Sequence, residues 1–122
     1  MATRSLSDLA LEVARGMNLL RPGEDLDQGQ AASINDKARQ IHARLVDKQA
    51  AYWPVDAIPE AVFMVVAEMV IFEVAPHFGA LPVVLQSFGY PNKLAAWESG
   101  LKQLRIHCEK EFNHEREPII EY

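Results

Sequence analysis

The stretch that decides the fold is residues 59–76, PEAVFMVVAEMVIFEVAP, where Glu68 and Glu73 are the only charged residues after Glu60. Pro59 and Glu60 are typical of a helix start, because proline at the first position gives up no hydrogen bond and a carboxylate favours the positive end of the helix dipole. A helix that is apolar on nearly every side has to be covered on several sides. We therefore predict a central core helix, and we expect a neighbouring subunit to cover what the rest of a small chain leaves exposed.

Three further helical segments lie before and after this one. In each of them apolar residues recur at three- and four-residue steps, which places them on one helix face. The stripes are Leu6, Leu9, Val13, Met17 and Leu20; Ala31, Ile34, Ala38, Ile41 and Leu45; and Leu94, Trp97, Leu101, Leu104 and Cys108. Ser5 and Asp27 are predicted to cap the first two helices. The sequence thus predicts an all-α fold, a small four-helix bundle over residues 1–112, with an extended C-terminal tail over residues 113–122.

Composition narrows the class of protein. A chain of 122 residues is long enough for one domain of ordinary size. It carries 12 Lys and Arg against 17 Asp and Glu, for a formal net charge of -5, so general nucleic-acid binding is not expected, because that needs a basic surplus. The single cysteine, Cys108, excludes an internal disulfide and is interpreted as a small core residue. The longest apolar stretch, residues 61–72, is shorter than the roughly 20 residues of a membrane span, and we expect no membrane partner.

Catalysis has little support in the sequence. The one candidate metal set is His107, Glu111 and His114, whose four- and three-residue steps share one helix face. No second pair of ligands accompanies them, and we favour a polar helix end. Glu68 and Glu73 are five residues apart and point in different directions, so we predict structural ion pairs with an arginine of another helix or subunit. We predict no enzymatic activity, no cofactor and no metal.

The end of the chain is unusual for a monomer. Ile119, Ile120 and Tyr122 are large and apolar, yet they follow Pro118 and an acidic run. In an isolated chain such residues would be solvated or disordered. The alternative is a docking segment that pairs with a strand edge or fills a groove on a partner. Burial of two isoleucines and a tyrosine would contribute roughly 5 kcal/mol before ordering costs, so we predict that these three residues dock onto a partner.

Two motifs frame the central helix. Residues 53–60, WPVDAIPE, lead into it, and residues 75–79, APHFG, close it. Over residues 6–112 this arrangement resembles the head–tail connector, or adaptor, proteins of tailed bacteriophages. It resembles in particular the group related to podovirus tail accessory factors, which close the portal after packaging. The likeness rests on the helix start Ile-Pro-Glu and on the helix end Ala-Pro-x-Phe-Gly.

The resemblance implies a non-enzymatic structural protein of the virion, assembled in the host bacterial cytoplasm, that connects head to tail and helps to retain packaged DNA. It implies a ring of neighbouring copies, commonly twelve, beneath the portal protein. A downstream tail or nozzle protein would follow, and DNA would pass through the channel without sequence-specific binding. The alternative is another small α-helical protein–protein interaction module, such as a regulator or a packaging accessory.

The resemblance also implies roles for particular residues. Residues 115–122 would form a terminal extension that reaches into the portal. The candidates for contacts between neighbouring copies are the large apolar residues Trp53, Phe63 and Phe72. The candidates for an acidic channel lining, which avoids tight binding of phosphates, are Glu24, Asp25 and Asp27.

Overall fold

The computed structural model describes residues 2–17, 26–79 and 81–120, and for residue 81 and residues 112–120 it describes the backbone without the side chains. Within these residues the elements are α1 (Leu6–Gly16), α2 (Gln28–Asp47), α3 (Glu60–Val74), a 3₁₀ helix (Ala75–Phe78), α4 (Leu81–Phe88) and α5 (Lys93–Ile120). Two short antiparallel strands, β1 (Thr3–Arg4) and β2 (Ile58–Pro59), join the N-terminus to the start of α3. The prediction of a small all-α protein is confirmed.

The elements differ from the predicted four helices in two places. Residues 81–88 form a fifth helix. The apolar run there is too short for its periodicity to distinguish a helix from a strand. Val84 of this helix is buried against the core. Gly79 and Gly89 bound it with positive φ angles of 68° and 77°, which glycine adopts without strain. The last helix does not end at residue 112 but continues to Ile120. Loss of apolar periodicity does not end a helix where Glu and Arg still favour helical backbone.

Local hydrogen bonds hold the helix starts as the sequence predicts. Ser5 and Asp8 form a reciprocal capping box at the start of α1. The Leu6 backbone N–H donates to Asp56 Oδ1 at 2.8 Å, which ties α1 to the segment before α3. Asp27 caps α2 by accepting from the Gln30 N–H at 3.2 Å.

The core lies around α3, which packs against α1, α2 and α5. Nine of its 15 residues are buried. Two glycines allow close approach: a Cβ at Gly16 would lie 2.5 Å from Ile71 Cδ1, and a Cβ at Gly100 would lie 2.6 Å from Met69 Cγ. A fourth side of α3 is covered at Phe72, whose ring meets those of Phe88 and Tyr90 with centroids 5.6 and 5.5 Å apart.

The expectation that a neighbouring subunit covers what remains exposed on α3 stays a prediction. One chain covers most of α3, because α4 supplies a layer that the four-helix prediction lacked. By length and composition the stretch Glu60–Phe78 could cross a membrane, with a mean hydropathy of 1.7, and 56% of its apolar window is buried inside the bundle. One such helix is weak evidence for a span, because core helices share that length and composition.

Candidate interaction surface

An ion-pair network joins three helices at the end of α3. The Glu73 carboxylate lies 3.7 Å from Arg44 of α2 and 3.8 Å from Lys93 of α5. The Arg44 guanidinium also lies 4.1 Å from the centroid of the Trp97 ring. The prediction of a structural ion pair with an arginine of another helix is therefore confirmed for Glu73.

An aromatic cluster holds the α2–α3 connection against α5. The His107 ring stacks on Tyr52 with centroids 5.9 Å apart, and a hydrogen bond of 3.2 Å joins Tyr52 Oη to His107 Nε2. Trp53 packs edge-on against both rings. From α2, His42 Nε2 donates to the Trp53 carbonyl oxygen at 2.6 Å. His107 therefore has a structural position in this cluster.

The residue types for catalysis do not converge in the described part of the chain. Among the side chains described, no group of three or more His, Cys, Asp and Glu could hold a metal ion, and the side chain of His114 lies outside them. Cys108 is buried, as predicted, with 4% of its surface exposed. Burial, and then the nearby Glu111 carboxylate, raise the pKa of the Cys108 thiol, which disfavours the reactive thiolate.

Contacts along α5 show that it runs antiparallel to α3. Lys93 at its start pairs with Glu73 near the end of α3. Gly100 meets Met69 in the middle, and His107 meets Tyr52, which precedes α3 in the chain. Among the residues of α5 whose side chains are described, Cys108 is the last one buried. The end of the core on α5 therefore coincides with the start of α3.

One strip of α3 is covered only in part by the described residues. It consists of Ala61, Met64, Val65 and Glu68, spaced at three, four and seven residues and so on one helix face; we call it the α3 strip. Ala61 is exposed, Met64 is 54% exposed, and Val65 and Glu68 are half-buried. Burial raises the pKa of the Glu68 carboxyl. Unlike Glu73, Glu68 has no hydrogen bond or ion pair with any residue that the structure describes.

The raised pKa of Glu68 predicts a small stability gain on removal of its charge. The folded chain favours the protonated form of the Glu68 carboxyl. Relative to a permanently charged carboxylate, this protonation stabilises the fold below the ordinary pKa of 4.5, and the stabilisation is lost as the pH rises through the pKa of the folded state. In the dilute, unassociated chain, Glu68→Gln should therefore raise the free energy of unfolding at neutral pH, by less than about 1 kcal/mol because the side chain is partly solvated. The gain should disappear near pH 4. Urea denaturation at both pH values measures it, and equal changes at the two values would contradict the assignment.

The predicted subunit contacts lie in the interior of the chain. Trp53, Phe63 and Phe72 are only 4%, 1% and 3% exposed, so they offer almost no surface to another copy. The prediction for these three residues is wrong, because it relied on size and apolarity. The side chains that α3 does expose were missed, although the spacing of Ala61, Met64, Val65 and Glu68 marks one helix face.

The structure describes only some of the other predicted site residues. Asp27 caps α2, which gives its carboxylate a local structural role. Glu24 and Asp25 lie outside the described residues, as does Tyr122. Ile119 and Ile120 lie in the last turn of α5, and their side chains are outside the described part.

Comparison with known proteins finds no match: no family model, no curated protein and no solved structure matches this chain. The sequence pattern and the geometry of the described residues are therefore the grounds for a functional assignment.

Proposed function

We propose that this chain is a non-enzymatic structural adaptor of a tailed-phage virion, attached to the portal protein through the C-terminal part of α5. The observation that carries the proposal is that α5 is much longer than the helix on which it packs. It has 28 residues and α3 has 15, lengths of about 42 and 22 Å. A helix of this kind suits a protein whose task is to join two others.

The overhang follows from the antiparallel contact. Gly100 meets Met69, so the start of α3, nine residues before Met69, is level with Glu109. The backbone of residues 110–120 continues as helix beyond that level, over about 16 Å. A helical arm of this length fits the helix-in-groove mode of recognition, one of the two docking modes expected for Ile119, Ile120 and Tyr122.

The resemblance to head–tail connectors supplies the setting. In it neighbouring copies stand side by side beneath the portal, a tail or nozzle protein follows, and DNA passes through without sequence-specific binding. The acidic segment with Glu24, Asp25 and Asp27 remains the proposed channel lining, consistent with the net charge of -5. No metal or cofactor is part of this function.

The test is to mix the purified chain with purified portal rings of the same virus and to image the complex by electron microscopy. We expect the full-length chain to occupy the portal and a chain lacking residues 115–122 to lose that binding. The truncation should leave the thermal midpoint nearly unchanged, because the described core on α5 ends at Cys108. Full binding by the truncated chain, or no binding by the intact one, would contradict the proposal.

A further inference from the structure

The α3 strip combines apolar surface with a carboxylate that has no ion pair with any described residue. Met64 and Val65 present apolar surface, and Glu68 adds a half-buried carboxylate without a counter-charge among the described residues. A partly desolvated charge is stabilised by pairing with an opposite charge. The group that covers the α3 strip is therefore expected to carry a cation beside small or apolar side chains.

Such a surface exists on α2 of the same protein. Arg39, Ala43 and Val46 are all exposed, with Val46 at 47%, and their spacing of four and seven residues places them on one helix face. We call this face the α2 strip. Arg39 has no hydrogen bond or ion pair with any residue in the described ranges. The α2 strip thus offers an unpaired cation, a small residue and an apolar residue over about 10 Å, the length of the α3 strip.

The two strips lie on opposite sides of one chain. Val66 lines a small cavity together with Ala38 and Leu45 of α2. Met64 and Glu68 are each two residues from Val66, and so they lie on nearly the opposite face of α3. The α3 strip therefore faces away from α2. Ala43 is likewise two residues from the buried Leu45, so the α2 strip faces away from α3. Neither strip can cover the other within one chain, but each can cover the other between two copies.

The relative direction of α2 and α3 determines which residues of the two strips would lie opposite each other. Ser33 of α2 shares a cleft with Phe78, just after α3, whereas Leu45 lies near Ile58, just before it, so α2 and α3 are antiparallel. Rotation of a second copy about an axis along the helices keeps its α2 antiparallel to the first copy's α3. In that arrangement Glu68 faces Arg39, Met64 faces Ala43, and Ala61 faces Val46.

We propose that a second copy of this chain covers the α3 strip with its α2 strip, pairing Glu68 with Arg39 in a head-to-tail contact. In such a contact each pair of chains still has one free α3 strip and one free α2 strip. Further copies can therefore add, and the result is a closed ring or an open filament. The inference deepens the proposed function by naming how neighbouring copies meet, and it rests on that function only for its biological setting.

Charge reversal with rescue tests the contact. Sedimentation velocity of the full chain over a wide concentration range should show self-association. Glu68→Arg and Arg39→Glu should each weaken it roughly tenfold or more, because like charges then oppose each other. The double variant with both substitutions should restore it. Arg39 is exposed on the surface, so its variant is expected to fold whatever happens to the half-buried Glu68.

Glu98→Arg serves as the matched control, because it makes the same charge change at an exposed position on α5. It should leave self-association unchanged. A monomer at all concentrations, equal weakening by the control, or no rescue in the double variant would overturn the proposal. None of these outcomes bears on portal binding by residues 115–122, so the two proposals can fail separately.

Discussion

Replacement of Phe63 by alanine is expected to lower the free energy of unfolding by about 3–5 kcal/mol, a large part of the stability of a domain this size. Among the described residues, Phe63 is the largest fully buried side chain, with 1% of its surface exposed. Alanine would leave a cavity beside the first turn of α3, where the surrounding residues cannot all move inward. It would also remove the ring that the Arg4 guanidinium covers at 4.0 Å.

Urea denaturation followed by circular dichroism measures this loss. The denaturation midpoint should fall by the same amount across roughly a hundredfold range of protein concentration, because the contacts lie within one chain. Leu94→Ala is the matched control: it shortens a large apolar residue that is 64% exposed and lies outside both strips, and it should change stability little. A Phe63→Ala effect that grows with protein concentration would restore the interpretation of Phe63 as a contact between copies.

The central helix could be predicted from the sequence, but the cover on each of its faces could not. Hydrophobic periodicity reports which face is buried, and α3 has almost none. Phe63 and Met64 are adjacent and both apolar, yet one is enclosed and the other exposed. The difference depends on α4 and on the close approaches at Gly16 and Gly100, which are long-range packing features.

The candidate site shows the same division between local and long-range information. The residue types of Glu68 and Glu73 predicted ion pairs for both, and only Glu73 has its arginine within the described chain. Which carboxylate meets Arg44 depends on how α2 and α3 align, and no local pattern specifies that. The α2 strip with Arg39 was missed for the same reason, because an exposed arginine gains meaning only from a surface elsewhere on the molecule.

Gly100→Val should lower the free energy of unfolding by about 2–3 kcal/mol. In most helices the loss of a glycine stabilises, because glycine is entropically unfavourable there. Here a Cβ would lie 2.6 Å from Met69 Cγ and 2.7 Å from Met69 Sδ, and Met69 is itself buried at 2% exposure. Since the base of the Met69 side chain is close, rotation of its tip cannot relieve the clash, and α5 has to move away from α3.

A double-mutant cycle separates this clash from the cost of valine in a helix. Lys102→Val places the same residue on the exposed side of α5 and should cost only the few tenths of a kcal/mol that β-branching costs. Met69→Ala removes the obstructing atoms, so Gly100→Val should cost less in that background than in the natural chain. Hydrogen exchange of the α5 amides should rise in Gly100→Val, because this contact anchors the helix. Additive effects of the two substitutions would show that α5 does not approach α3 at Gly100, and the overhang of α5, which was derived from that contact, would no longer hold.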